Sequence, residues 1–403
     1  MIPFSPPYVD QDVIDEVVDS LKSGWITTGP KVKTLEQKIG EFVGVPNVLC
    51  VNSWTSGMML MLRWFGVGEG DEVIVPAYTY SATALSVMNI GAVPVMVDVK
   101  DDFNIDVDKI REAITEKTKV IVPVDIAGWP CDYDAINAVV KEPAVIGKFR
   151  PANDLQQKLS RIAVMADAAH SIGAQYKGNT CGSLTDVTIF SLHAVKNVTT
   201  AEGGAIALNL PEPFDNKELY DFLRVFSLNG QTKDAFTKTK AGGWRYDIVS
   251  QGLKVNMPDV CAAIGLVQIQ KYDVQLLQER RRVFEHYNQL FSRFPWAILP
   301  PYKDNATLSS CHIYALRINN ISEEQRDAII ENISSRQIAV NVHFVPMPLL
   351  SLFKNKGYDI RDYPGAYQQY KGEISLPIYP QLSHEQVETV ANAVIQAYDK
   401  IVC

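Results

Sequence analysis

At 403 residues the chain is long enough for two or three domain-sized units and a sizeable buried core. Hydrophobic residues make up 47% and charged residues 21%, which excludes disordered, collagen-like and disulfide-scaffold classes. A formal net charge of −8 argues against a general nucleic-acid or anionic-membrane surface, because either needs a basic field.

The opening MIPFSPPYVDQDV has neither a basic nor an apolar leader region, and no later apolar run approaches bilayer-spanning length, so a cytoplasmic protein without membrane partners is expected. Cys50, Cys131, Cys181, Cys261, Cys311 and Cys403 are widely spaced with no CxxC pair, which predicts free thiols and no metal site. Val13, Ile14, Val17, Val18 and Leu21 recur at helical spacing before Gly24, predicting an amphipathic helix over 10–23. A second helix runs through Leu35, Ile39 and Phe42. Continuous apolar runs at 48–51, 72–76, 93–99, 119–126 and 162–167 then predict strands, with helical stretches between them. Such runs belong to strands covered on both faces, so the expected fold is α/β with a mostly parallel sheet.

Two further strands, 187–192 and 204–210, follow with no helix between them and predict at least one antiparallel pair. The stretch 141–160 mixes Pro, Gly and charge and reads as a surface insertion bordering the entrance of the site. After about residue 260 a long helical pattern and short strands such as HIYALRI predict a smaller α+β C-terminal domain, 261–403, behind a large domain of residues 1–260.

Three segments carry chemistry. In MADAAHSIGA and TIFSLHAVKNVTTAEGGAIA, Asp167 ends an apolar strand and Lys196 lies in a polar loop that closes on Gly203-Gly204. Ends of parallel strands are where α/β sheets place ligands. Taken by residue type alone, a loop lysine is more often a solvated charge. In VNSWTSGMMLML a strand gives way to a helix whose first N–H groups would face the same sheet end, as an anion site or as a helix capped by Ser53. In PAYTYSATA, Tyr80 could stack on a flat ring, although an unaided reading favours the core.

These motifs, with GWITTGPKVKTLEQKIGEFVGV before them and GLKVNMPDVCAAIGLVQI and EISLPIYP after them, resemble the DegT/DnrJ/EryC1/StrS sugar aminotransferases, pyridoxal-phosphate (PLP) enzymes of the aspartate-aminotransferase fold. The resemblance implies that Lys196 holds PLP as a Schiff base and that Asp167 pairs with the pyridinium nitrogen. It further implies His170 beside the phenolic oxygen, Thr55, Ser56 and Ser191 at the phosphate, and Tyr80 on the ring. A homodimer is implied in which the neighbouring subunit supplies the segment of Lys254 and Asn256. The substrates it implies are an amino-acid donor, L-glutamate, and a keto sugar linked to a nucleotide, in amino-sugar or surface-polysaccharide biosynthesis.

Four positions depart from the family pattern. Trp54 stands where a small residue is commoner, Lys254 where many members carry Asn, and Asp125 and Asn229 where His is usual; the last two fall at expected substrate contacts. His343, in NVHFVPMP, is a candidate substrate contact, with a purely structural role equally open. Relatives that dehydrate sugars replace the lysine by histidine, which Lys196 argues against, and a non-catalytic regulatory relative would not need Lys196, Asp167, His170 and Ser191 together. A nucleotide-dependent oxidoreductase is disfavoured because no GxGxxG follows the first strand.

Overall fold

A computed structural model describes residues 1–232 and 245–403. Helix α1 (Gln11–Ser23) is capped by the Asp10 carboxylate and ends at Gly24, whose φ of 72° suits a residue without Cβ. Helix α2 (Pro30–Val43) starts with Pro at its first turn. Nine strands follow: β1 (Val48–Val51), β2 (Glu72–Pro76), β3 (Val93–Val97), β4 (Thr118–Ile121), β5 (Ala163–Asp167), β6 (Gln175–Tyr176), β7 (Asn179–Thr180), β8 (Val187–Ser191) and β9 (Gly204–Leu208).

Seven of them form the main sheet in the order β1-β9-β8-β5-β4-β2-β3. β9 runs antiparallel to both neighbours and the other pairings are parallel, so six strands point the same way. Both faces are covered: Val73 and Val75 of β2 join the core under helices α3 (Trp54–Trp64) and α4 (Ala82–Asn89), while Ile74 faces a second core on the other side. That two-sided burial is why the strands read as unbroken apolar runs rather than alternating ones.

The stretch 141–160 is not an irregular insertion. It forms two short helices, Pro143–Lys148 and Asp154–Leu159, and buries Val145, Phe149 and Leu159. Asn153 and Gln156 donate side-chain N–H to the Phe65 carbonyl at 3.2 and 3.0 Å, which anchors the stretch at the C-terminal end of α3. An 11-residue helix is roughly 16 Å long, so this anchor is far from the N-terminus of α3.

The long helix after residue 258 is continuous: Asp259–Lys271, a π-helical turn Tyr272–Leu276, and Leu277–Phe291. Its first part packs with α2 and β1, and Val283, Phe284, Tyr287 and Phe291 enter a separate core with C-terminal elements. Those elements include β10 (Ala297–Ile298), β12 (Tyr314–Ile318) and β13 (Glu373–Leu376), paired in that order, whereas β11 (Thr307–Leu308) pairs with β6. All six cysteines are free, and among the described residues no helix is long and apolar enough to cross a membrane.

Candidate active site

The shared direction of six strands gathers Ser53, Asp167 and Ser191 at one edge of the sheet, where β9 begins at Gly204, paired with both Val51 and Ser191. Ser53 caps α3: its hydroxyl oxygen accepts the Ser56 N–H at 3.1 Å and lies 2.9 Å from the Ser56 hydroxyl. This leaves the N–H groups of Trp54 and Thr55, the first two of the helix, without intrahelical partners. The capping reading therefore holds, and the Trp54 and Thr55 N–H groups stand at the same sheet edge as Asp167 and Ser191. A Cβ on Gly204 would lie 2.6 Å from the Ser53 carbonyl carbon, so only glycine lets β9 meet the helix start this closely.

Asp167 ends β5 and is 4% exposed. Its Oδ2 accepts from the Thr83 hydroxyl at 2.9 Å and its Oδ1 from the Ala169 N–H at 3.1 Å. Burial pushes the carboxyl up to about 7, against those two donors and the charge of Lys196. Lys196 lies in the turn after β8, half-buried, and desolvation brings its amine down to about 8 against the attraction of Asp167. Acid and amine thus move toward each other's range.

One cavity of about 500 Å³ is lined by Lys196, Asp167, His170, Ser191 and Thr55. Tyr80 and His343 line it as well. Tyr80 is 63% exposed and faces Phe344 at 6.0 Å; the core position is taken instead by Tyr78, which is fully buried. His170 accepts the Ala127 N–H on Nδ1 at 3.2 Å, so its neutral ring carries the proton on Nε2, and burial holds its pKa well below the usual imidazole range.

Ser56, bonded to Ser53, does not line this cavity. Lys254 and Asn256, hydrogen-bonded to each other, line a second cavity of about 620 Å³ together with Thr28, Arg224 and Asn229. Within one chain they are therefore separate from Lys196. Asp125 is fully buried and accepts from the Cys131 N–H at 2.9 Å and from the Tyr133 and Ser171 hydroxyls at 2.6 Å each, so it braces the loop and does not line the Lys196 cavity. No residue of 141–160 lines the Lys196 cavity of its own chain. Trp54 does not turn outward: it is 6% exposed, and its indole N–H has no partner among the described residues.

Three contributors escaped the sequence reading. Thr83 stands inside PAYTYSATA, three residues past Tyr80, and its pairing with Asp167 spans 84 positions. Phe344 stacks on His170 at 5.8 Å. His312, read only as the start of a strand, lies 4.4 Å from the His170 ring, and its Nδ1 is 2.8 Å from the side-chain oxygen of Asn197, next to Lys196.

Residues 7–395 match the DegT/DnrJ/EryC1/StrS aminotransferase family. The chain belongs to this family. Members are PLP-dependent sugar aminotransferases, and so is this enzyme. It is 35% identical to the spore coat polysaccharide biosynthesis protein SpsC of Bacillus subtilis (strain 168) over 398 residues, 98% of this chain and 96% of that one. Spr1654 from Streptococcus pneumoniae, described as a sugar aminotransferase and solved in a PMP form, superposes with a TM-score of 0.95 at 43% identity over 100% of both chains. Helicobacter pylori PseC, an aminotransferase involved in pseudoaminic acid biosynthesis, superposes with a TM-score of 0.85 at 26% identity over 99% of both.

Proposed function

We propose that the enzyme moves an amino group from L-glutamate to a keto sugar linked to a nucleotide, with Lys196 and Asp167 as its catalytic residues. The observation that carries this reading is the meeting, in one cavity, of an amine lowered to about 8 and a carboxyl raised to about 7, beside two free N–H groups of α3.

The donor set fits PLP. The N–H groups of Trp54 and Thr55, with the hydroxyls of Thr55 and Ser191, would receive its phosphate at a helix N-terminus. The Asp167 carboxylate would face the ring nitrogen, braced by Thr83 and Ala169. His170 would direct its Nε2–H toward the phenolic oxygen, and exposed Tyr80 would cover the ring. Bound PLP supplies a carbonyl that takes the amino group and a ring that accepts the electron pair left when the Cα proton departs.

Lys196 would hold bound PLP covalently. Once released, its neutral amine would take the Cα proton of the amino donor and give it back, Nζ being the carrying atom, and water would supply the oxygen of the 2-oxo acid that leaves. The reverse exchange at a ketone would deliver the nitrogen to the sugar, the ketone oxygen leaving as water. An ionised Asp167 would keep the ring nitrogen cationic, and its two hydrogen-bond donors favour that ionised form against burial.

In this reading the enzyme works in the cytoplasm as a homodimer. Lys254 and Asn256 of one copy complete the site of the other, with Lys254 at the phosphate, Asn256 and His343 at the substrate, and Ser56 supporting the phosphate cup. Residues 1–260 form the cofactor-binding domain and 261–403 the smaller one. The separate cavity around Lys254 supports the shared site. The test is the visible spectrum of PLP-loaded protein before and after L-glutamate, followed by UDP- and dTDP-linked 4-keto-6-deoxyhexoses. Conversion to the pyridoxamine form by glutamate and its reversal by a sugar are expected. Loss of the lysine-bound spectrum in Lys196→Ala should abolish both steps; multiple turnovers in that variant would remove Lys196 from its role.

A further inference from the structure

His343 reaches the cavity of Lys196 from the C-terminal segment, and β13 holds it from behind, Ser375 at the ring and Glu373 at the backbone N–H. Glu373 and Ser375, two positions apart and so on one face of that strand, are both fully buried. His343 Nδ1 lies 2.9 Å from Ser375 Oγ, Ser375 Oγ lies 2.5 Å from Glu373 Oε1, and the His343 backbone N–H donates to Glu373 Oε2 at 2.9 Å. The other ring nitrogen, Nε2, has no partner among the described residues and is left for whatever enters the cavity.

The Ser375 hydroxyl has one proton, so the chain can be ordered in two ways. When Glu373 is ionised, Ser375 donates to it and accepts from Nδ1–H, and Nε2 is a bare acceptor. When Glu373 is protonated, its carboxyl donates to Ser375, Ser375 donates to Nδ1, and the imidazole proton sits on Nε2. We propose that Glu373 and Ser375 are positioning residues that decide, through this chain, whether His343 offers a hydrogen-bond donor or an acceptor to the sugar beside Lys196. The identity of the ligand rests on the function proposed above; the coupling itself does not.

Burial raises Glu373 to about 8, against Ser375, the His343 N–H and the charges of Arg326 and Arg317. At neutral pH the carboxyl therefore keeps its proton and His343 presents Nε2–H, which suits the keto oxygen of an acceptor sugar. The ring stays neutral, because burial and the Lys196 charge hold its own pKa at about 4. On the cavity side the facing groups are Lys196, His170 and His312, and Tyr78 donates its hydroxyl to the His343 carbonyl at 2.7 Å. Tyr78 is raised well above the usual phenol range and the two histidines are lowered well below theirs. In the loaded enzyme Lys196 is engaged by the cofactor and Asp167, raised to about 7, would face its ring nitrogen, so between pH 6 and 9.5 Glu373 is the titrating group bonded to Ser375.

The test is 15N NMR of histidine-labelled, PLP-loaded enzyme, with His343 assigned by its loss in His343→Gln. Nε2–H at pH 6.5 should give way to Nδ1–H with a midpoint near 8. Glu373→Gln, whose amide donates to Ser375 while its oxygen keeps the His343 N–H, should hold Nε2–H up to pH 9.5. Ser375→Ala should abolish the step, and Ser375→Thr should restore it. A ring that keeps one tautomer across the range in wild type, or a wild-type-like step in Glu373→Gln, overturns the proposal. With UDP- and dTDP-linked 4-keto-6-deoxyhexoses as probes, kcat/KM for the sugar should fall about tenfold above the midpoint in wild type and not in Glu373→Gln, the loss expected for one hydrogen bond. A tautomer step with no probe turned over would refute the substrate reading and leave the coupling established; turnover without a step would do the reverse.

Discussion

Burial brings the Lys196 amine from the ordinary 10.5 to about 8, and the charge of Asp167 opposes that fall. At pH 7 the neutral, nucleophilic fraction thereby rises from roughly 0.03% to roughly 9%, about three-hundredfold. Covalent capture of PLP by the apoprotein should accordingly speed up about tenfold per pH unit below 8 and level off above it. Asp167→Asn removes the opposing attraction. The side chain can keep its oxygen on the Ala169 N–H and donate its amide to a turned Thr83 hydroxyl, so the fold should survive. Its midpoint should lie below 8, and capture at pH 7 should quicken by at most about tenfold, the ceiling set by a fully neutral amine. Stopped-flow absorbance between pH 6 and 10 at constant ionic strength reads both profiles. A wild-type midpoint near 10, or an upward move in Asp167→Asn, would falsify the reasoning.

Glu36, buried with the Cys50 N–H at 2.9 Å and the Tyr220 hydroxyl at 2.7 Å, is raised by burial from 4.5 to about 7. The native state holds this proton more tightly than the unfolded chain, so the associated stability is complete below about 4.5 and is lost as pH rises through about 7. Urea unfolding should show Glu36→Gln gaining about 3 kcal/mol on wild type between pH 4.5 and 8, and a pH-independent difference would count against it. Gly204→Ala should push the start of α3 from β9 and weaken PLP binding at least tenfold, with less effect on pyridoxal, which has no phosphate; equal losses in absorbance titrations would mean that this close approach does not shape the anion end. Asp125→Ala should cost about 3 kcal/mol or more by stranding the Cys131 N–H and the Tyr133 and Ser171 hydroxyls, and a loss under about 1 kcal/mol in urea would show that they find other partners.

The parallel strands were legible because strands buried on both faces leave an unbroken apolar run, and the first two, Val48–Val51 and Glu72–Pro76, match their expected bounds. Asp167 and Lys196 could be read together because strand ends in such sheets converge on one edge. What depends on distant pairing was not legible. The place of β9 between β1 and β8 joins Val51 to Gly204, and no local pattern encodes that neighbour. The helices of 141–160 were hidden because each is only six residues long, too short for a periodic stripe to emerge. Tyr78 and Tyr80 have the same residue type two positions apart, so composition could not say which one faces the cavity. Asp125 looked like a site residue because it stands where the family usually carries His; only its three internal donors reveal a brace.

The continuous helix from Asp259 to Phe291 threads two separate cores, so no flexible loop uncouples them along this stretch. The helical ladder widens at one place between them, the π-turn Tyr272–Leu276. The Tyr272 hydroxyl receives a hydrogen bond from Asn197 at 3.0 Å and gives one to the Ile172 carbonyl at 2.7 Å. Asn197 adjoins the reactive lysine in the chain, and Ile172 lies two residues past His170. The helix thus ties the C-terminal core, through the Tyr272 hydroxyl, to the two segments that flank the amine.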